Sequence, residues 1–362
     1  MTRGLLAAAL ACMSAAASAC PLCLGAFQQT KAQQLVTARQ AVLAAPTADA
    51  SRFRVVEVVK GERPSSGTIE GGHPRSGPAS DAAEPKQGKP LLLVRDDPLL
   101  AWVIVGAVGA EHLGWLRRLA GGKPATEMSP EAWRTRVALI VPHLENSEPL
   151  VAELAYGELA AAPYAAMRTA KPSLDAPAVR RWLADPQRVA REPLYLLLLG
   201  FAGNAQDAAV LERRLEAAWR SGDATNLGSM LAADLELRGA ARMPWIEANY
   251  LVDRKRSPAE IKAALLALSV HGNANGALLR ERVIQAYRVF MKARPEIAGY
   301  VAQDLAAWQY WEAVPEYVAL MKSDLAQQYP SRVAALAYLR QSPSAEARGL
   351  AMQTPAAPGV RR

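Results

Sequence analysis

From residue 127 to residue 339, apolar side chains return every three or four positions, the period of helices that each bury one face. Ser129-Pro130-Glu131 is a helix start in three residues: an N-cap serine, a proline suited to the first turn and an acid facing the helix dipole. Trp133, Val137, Ile140, Val141 and Leu144 then share a face. Ser147-Glu148-Pro149 opens a second helix, with Leu150, Val151, Leu154, Ala155 and Leu159 on its apolar side. Asp175-Ala176-Pro177 opens a third, carrying Val179, Trp182 and Leu183. Residues 193–199 are apolar all round, as in a helix buried on every side. Residues 204–220 and 226–237 read as a helix pair parted by Ser221-Gly222-Asp223. Ser257-Pro258-Ala259-Glu260 repeats the Ser-Pro start and adds a glutamate at the capping-box position. Further helices fall over 278–292, 297–309, 314–321 and 331–339.

Before residue 127 the period shortens. Residues 51–60 form a valine-rich strand with Phe53, Val55 and Val59 expected on one side. Residues 68–70, 90–95 and 101–108 read as further strands, the last continuously apolar and therefore buried, and residues 40–43 form a short apolar run. Residues 26–38 and 111–120 favour helix. Residues 73–89 turn to Pro, Gly, Ser and charge without apolar period and read as a flexible loop; residues 341–362 read as a disordered tail. The expected class is α+β and multidomain: a small β barrel or sandwich over 20–122, then an all-α array over 127–340.

The amino terminus carries an address. Arg3 precedes an apolar stretch over 4–13 and small residues ending Ala17-Ser18-Ala19, the layout of a signal peptide over 1–19. The protein is therefore expected outside the cytoplasm, periplasmic or secreted. Cleavage after Ala19 would leave Cys20 first, and Ala17-Ser18-Ala19-Cys20 resembles the lipobox of bacterial lipoproteins, with Ala17 where leucine is usual. Acylation of Cys20 would add membrane association. No apolar run approaches the roughly 18–20 residues of a spanning helix, so no transmembrane helix is expected.

Composition narrows the chemistry. The chain has 362 residues, 51% of them hydrophobic, enough for a real core, and 3 cysteines, too few for a disulfide scaffold. Cys20-Pro21-Leu22-Cys23 can be a redox dithiol, half of a metal site or a short disulfide. A thioredoxin-like dithiol needs a strand before its first cysteine, and a zinc site needs about two more ligands. His73, His112, His143 and His271 are scattered along the chain, and haem attachment would need histidine where Leu24 stands. The plainest expectations are a Cys20–Cys23 disulfide or a lipidated Cys20 beside the Cys23 thiol. Asp96-Asp97-Pro98 reads as a turn. G-x-S-x-G, H-E-x-x-H, P-loop and G-x-G-x-x-G patterns do not occur, so the sequence reading is of a protein without catalytic residues, cofactor or metal.

Candidate binding residues remain. Trp133, Trp182, Trp219 and Trp245 sit at helical spacing beside Leu or Val and read as core, whereas Trp308, Tyr310 and Trp311 form a denser cluster suited to binding. Arg254, Lys255 and Arg256 are the longest basic run, with Arg180-Arg181 and Arg213-Arg214 as smaller ones. The net charge of +8, which falls to +7 once Arg3 is removed, permits nucleic acid, but export removes that partner. A protein of the cell envelope is the expected partner.

Two resemblances follow. Helix starts at Ser129, Asp175 and Ser221 lie about 46 residues apart, and HEAT or armadillo repeats have periods of about 40–47. The segment 134–215, above all Leu150-Val151-Ala152-Glu153-Leu154-Ala155 and the run 194–202, resembles HEAT-like repeats, which implies an α-solenoid with an extended binding face. Residues 20–120 resemble the netrin-like module, an OB-type barrel. The matching features are a terminal cysteine pair, a strand ending Val58-Val59-Lys60-Gly61 and a later Leu91-Leu92-Leu93-Val94 strand. In metalloproteinase inhibitors of that family the first cysteine's amine and carbonyl chelate the protease zinc, a role that could pass to Cys20. Here the spacing is C-x-x-C rather than C-x-C, and the stapling cysteines are missing. Three functions follow: a non-catalytic protein-binding scaffold, a protease inhibitor acting through Cys20, or a thiol–disulfide protein using Cys20 and Cys23.

Overall fold

The computed structural model describes residues 22–23, 29–49, 51–71, 88–323, 325 and 329–355. The expected signal peptide, Cys20 and all but the last two residues of the expected loop 73–89 lie outside them.

Five short strands form one antiparallel sheet: β1 (Gln40–Pro46), β2 (Arg52–Lys60), β3 (Thr68–Glu70), β4 (Leu91–Arg95) and β5 (Val103–Ala107). Their order is β3-β2-β1-β4-β5. A parallel bridge between Gly71 and Trp102 then joins the two outer strands. Only glycine fits at residue 71, where a Cβ would lie 2.0 Å from the Phe53 ring. The sheet is apolar on both faces. Val42, Ala44, Phe53, Val55, Ile69, Leu91, Leu93 and Trp102 pack on one side. Ala41, Leu43, Leu92, Val94 and Val105 turn towards the helices.

Val59 departs from expectation by joining the helix-facing set, away from Phe53 and Val55. Leu43 pairs with Glu57 but Ala44 with Val55, so Val56 is an extra residue that turns the strand over. A second shift lies between Ala41 and Val42. Strict alternation cannot foresee either one.

Helices dominate the rest. α1 (Lys31–Thr37) precedes the sheet and α2 (Leu113–Ala120) follows it, and the two touch. Then come α3 (Pro130–Ile140), α4 (Pro149–Ala160), α5 (Tyr164–Met167), α6 (Ala176–Ala184), α7 (Glu192–Ala202) and α8 (Ala205–Ser221). The chain continues through α9 (Leu227–Arg238), α10 (Met243–Ile246), α11 (Pro258–Ala274), α12 (Arg280–Ala293) and α13 (Ala302–Ala307). α14 (Val314–Lys322), α15 (Tyr329–Gln341) and α16 (Ala345–Gln353) complete it. The expected caps form: the Ser129 hydroxyl accepts from the Ala132 amide, Asp175 from Ala178, and Ser257 and Glu260 cap each other's backbone.

Two boundaries differ from the sequence reading. Ser221 ends α8 instead of starting a helix, because Gly222 takes the left-handed conformation (φ 71°) and the next helix begins at Leu227. The 46-residue spacing therefore keeps only Ser129 and Asp175. Part of the expected tail is also ordered: Ser344 caps α16, which buries Ala347 and Ala351. Two alanines are too faint a stripe to read from sequence.

Packing proceeds largely between neighbours, α7 against α9, α9 against α11 and α11 against α12, while the turn at 295–301 meets α15 and α15 meets α16. The α7–α9 crossing is tight, since a Cβ on Gly200 would sit 2.7 Å from the Ala233 Cα. One hydrophobic core runs from Leu35 through Leu92 and Trp115 to Ala351, across the boundary between the β-rich and helical parts. The amino-terminal segment is sewn into it. Leu22 fills the space left by Gly228 on α9, and the Ser229 hydroxyl donates to the Leu22 carbonyl at 3.3 Å. Lys31 reaches Glu153 on α4 at 2.8 Å.

Candidate functional site

Cys23 is buried in the core formed by α1, the sheet and the helices, so its thiol does not face solvent. Cys20 lies outside the described residues.

The aromatic cluster is half-buried and largely occupied by its own neighbours. Trp308 stacks on Tyr287 (5.7 Å, 9°) and lies over Gly272, whose missing Cβ would otherwise sit 2.5 Å from the indole. Its Nε1 donates to Asn273 at 2.9 Å. Tyr310 donates to Glu312 at 3.0 Å and accepts at its carbonyl from Tyr338, while Trp311 leans on Tyr338. Beneath them Asp304 accepts from Tyr287 (2.6 Å) and Ser269 (2.9 Å), and burial raises its carboxyl against those hydrogen bonds.

The basic run divides. Arg256 is clasped by Asp253 and Glu260, each at 3.0 Å, and by the Trp219 carbonyl at 2.8 Å. Arg254 and Lys255 stay exposed, with Arg254 donating to the Ala293 carbonyl at 2.7 Å. Arg254 thus marks the end of α12, whereas Trp308 sits at the end of α11 and near Arg280, where α12 begins. The antiparallel pair holds the two sets roughly 20 Å apart, about fourteen residues of helix rise, so they form no common site.

Three arrangements escaped the sequence reading. The first is the turn between β4 and β5, where Leu99 is 95% exposed and Leu100 57%. The turn is fixed from below: Asp97 accepts from the Leu99 amide (2.8 Å) and the Leu100 amide (3.0 Å), and Arg95 donates to the Pro98 carbonyl (3.1 Å) while lying over Trp102 (4.6 Å). Two leucines after a recognised Asp-Asp-Pro turn were the available signal.

The second is a buried knot between α5, α9 and α11. His271 holds its Nε2 proton on the Ala232 carbonyl (2.9 Å), and its buried Nδ1 lies 3.9 Å from Glu236 without a hydrogen bond. Burial pushes the imidazole down to about 4. Glu236 is raised by burial, with Arg168 at 2.6 Å and Tyr164 at 3.2 Å opposing. This acid–base set has the makings of proton chemistry, but it is packed shut.

The third lies where the sheet meets the helices. Glu111 and His112, in the turn before α2, approach Glu148 at the start of α4, with one ligand atom from each within 4.8 Å of the others. Lys89 reaches Glu148 at 2.7 Å, and that hydrogen bond raises the ammonium. His143 is close by: burial lowers its imidazole, and the charges of His112 and Arg118 lower it further. The sequence showed no histidine pairing, yet the fold brings His112 and His143 to one junction. Glu111-His112 was visible as a dipeptide; Glu148, far along the chain, was not.

A pocket of about 180 Å³ between α1 and the turn at 124–126 is lined by Gln33, Val36, Pro124, Ala125 and Glu158. It is smaller than the roughly 300–1,000 Å³ of small-molecule sites. Comparison of the chain with protein-family models, curated proteins and solved structures gives no match.

Proposed function

We propose that the chain is an exported, non-catalytic scaffold that binds a protein of the cell envelope. The observation that carries this is the solvent-facing Leu99-Leu100 pair on its hydrogen-bonded turn. An apolar pair held out on a hydrogen-bonded turn gains from burial, at roughly 1.5–3 kcal/mol for each leucine covered. Because the turn is already ordered, little conformational entropy opposes docking. Asp96 and Asp97 precede the leucines on the same turn, which favours a partner with an apolar socket and a basic edge over an anionic lipid surface.

The two parts would serve that role in different ways. The β part is an OB-type barrel in this reading, supported by its strand order, by the Gly71–Trp102 bridge and by α1 and α2 lying together. The helical part is a HEAT-like array, supported by the serial contacts of α7, α9, α11 and α12. Cys20 is the acylated or disulfide-bonded residue of the processed terminus. Inhibition of a protease through the Cys20 amine fits less well, because Leu22 and Cys23 seat inward on the helices. Thiol exchange suits a buried Cys23 no better.

A benzophenone side chain at Leu99, irradiated in cells exporting the protein, should give one discrete protein adduct that Leu100→Asp abolishes. No adduct, or adducts to lipid alone, would remove this reading. Intact-mass analysis of the exported chain should show loss of 1–19, and retention of those residues would refute export.

A further inference from the structure

We infer that Glu111, His112 and Glu148 form a site for a divalent transition-metal ion of the zinc class, which Lys89 guards as an internal substitute cation. One imidazole and two carboxylates are a borderline-hard set suited to Zn²⁺, with a fourth position left for water. The ligand atoms lie within 4.8 Å of one another. Tetrahedral coordination at about 2.0–2.2 Å needs them ~3.4 Å apart. The adjustment falls to Glu111, whose side chain is exposed and free to swing.

The other two ligands are preset. Glu148 has a side chain only 7% exposed, and its amide is tied to Asn146 at 2.9 Å. His112 is mostly covered, with Nε2 3.7 Å from Glu111. A carboxylate so withdrawn from water needs a cation beside it. Lys89 supplies one now, from a half-exposed side chain that follows Gly88 in the left-handed region (φ 104°), so it can leave without disturbing a strand. Exchange of the ammonium for a metal ion keeps Glu148 compensated. It also ties the end of the sheet to the start of α4.

Titration of metal-free, full-length protein with ZnCl₂ by calorimetry tests the inference. One equivalent should bind, with affinity at least tenfold weaker in both His112→Asn and Glu148→Gln. Lys89→Met should bind at least tenfold tighter, a gain that damaged folding cannot mimic. Absence of binding to the wild-type chain overturns the site. Zn²⁺ affinity unchanged in both ligand variants overturns it equally, by placing the ion elsewhere. Preference for Ca²⁺ over Zn²⁺ contradicts the metal class, and unaltered affinity in Lys89→Met contradicts the guarding role.

Discussion

Gly200 shows how much a single atom decides. Its missing side chain lets α7 approach α9 until it lies against the Ala233 backbone and Cβ, and Ala233 Cα cannot move aside as a flexible side chain would. Gly200→Ala should therefore destabilise the protein, because overpacking of roughly 1–3 kcal/mol outweighs the helix propensity of about 1 kcal/mol that alanine adds. A lowered urea midpoint with unchanged slope is the expected result. His271 makes a pH-dependent prediction. Its folded imidazole sits at about 4 against an ordinary 6.5, so the unfolded chain binds the proton first as pH falls. The histidine's contribution is whole above pH 6.5 and is lost as pH drops towards 4, by roughly 3 kcal/mol at about 1.4 per unit. Raised carboxyls such as Asp304, outside the His271 knot, act in the opposite sense over part of that range. They are common to wild type and His271→Gln, so the stability gap between the two should narrow between pH 7 and pH 4.5; a gap independent of pH would contradict the burial argument. The sequence offered His271 as one isolated histidine, and its environment comes entirely from other helices.

Helix starts are the elements most fully written into the chain, because a cap needs only residues three apart. Ser129, Asp175 and Ser257 each cap as their spacing predicts. Ser257→Ala should cost about 1 kcal/mol through loss of the hydroxyl that accepts from the Glu260 amide, seen as a shift in thermal midpoint. The same substitution at Ser221, inside the last turn of α8, should change stability little. That contrast tests the corrected boundary. Four of the five strands were legible in the sequence, β1 showing only as a short apolar run, but the side on which Val59 lies was not, since an unpaired Val56 follows from strand pairing rather than composition. α16 was missed for the opposite reason: its buried stripe is two alanines, visible only once a neighbouring helix covers them.

Across the whole molecule, a continuous core predicts that the β-rich and helical parts unfold together. Thermal unfolding followed by far-UV circular dichroism and by tryptophan fluorescence should give coincident transitions. Trp102 and Trp115 report from the β side and Trp133 from the helical side. Two separated transitions would show that the shared packing around Leu35 and Trp115 does not couple the parts. Sequence by itself determined what depends on neighbours along the chain: helix period, caps, strand runs, the Asp-Asp-Pro turn and the signal-like first residues. Only the tertiary structure decided the seating of Leu22 on α9, the outward pair Leu99-Leu100 and the meeting of Glu111, His112 and Glu148. Those features depend on where distant segments come to rest, and the free energy that brings them together resides in nonlocal burial, which no local spacing encodes.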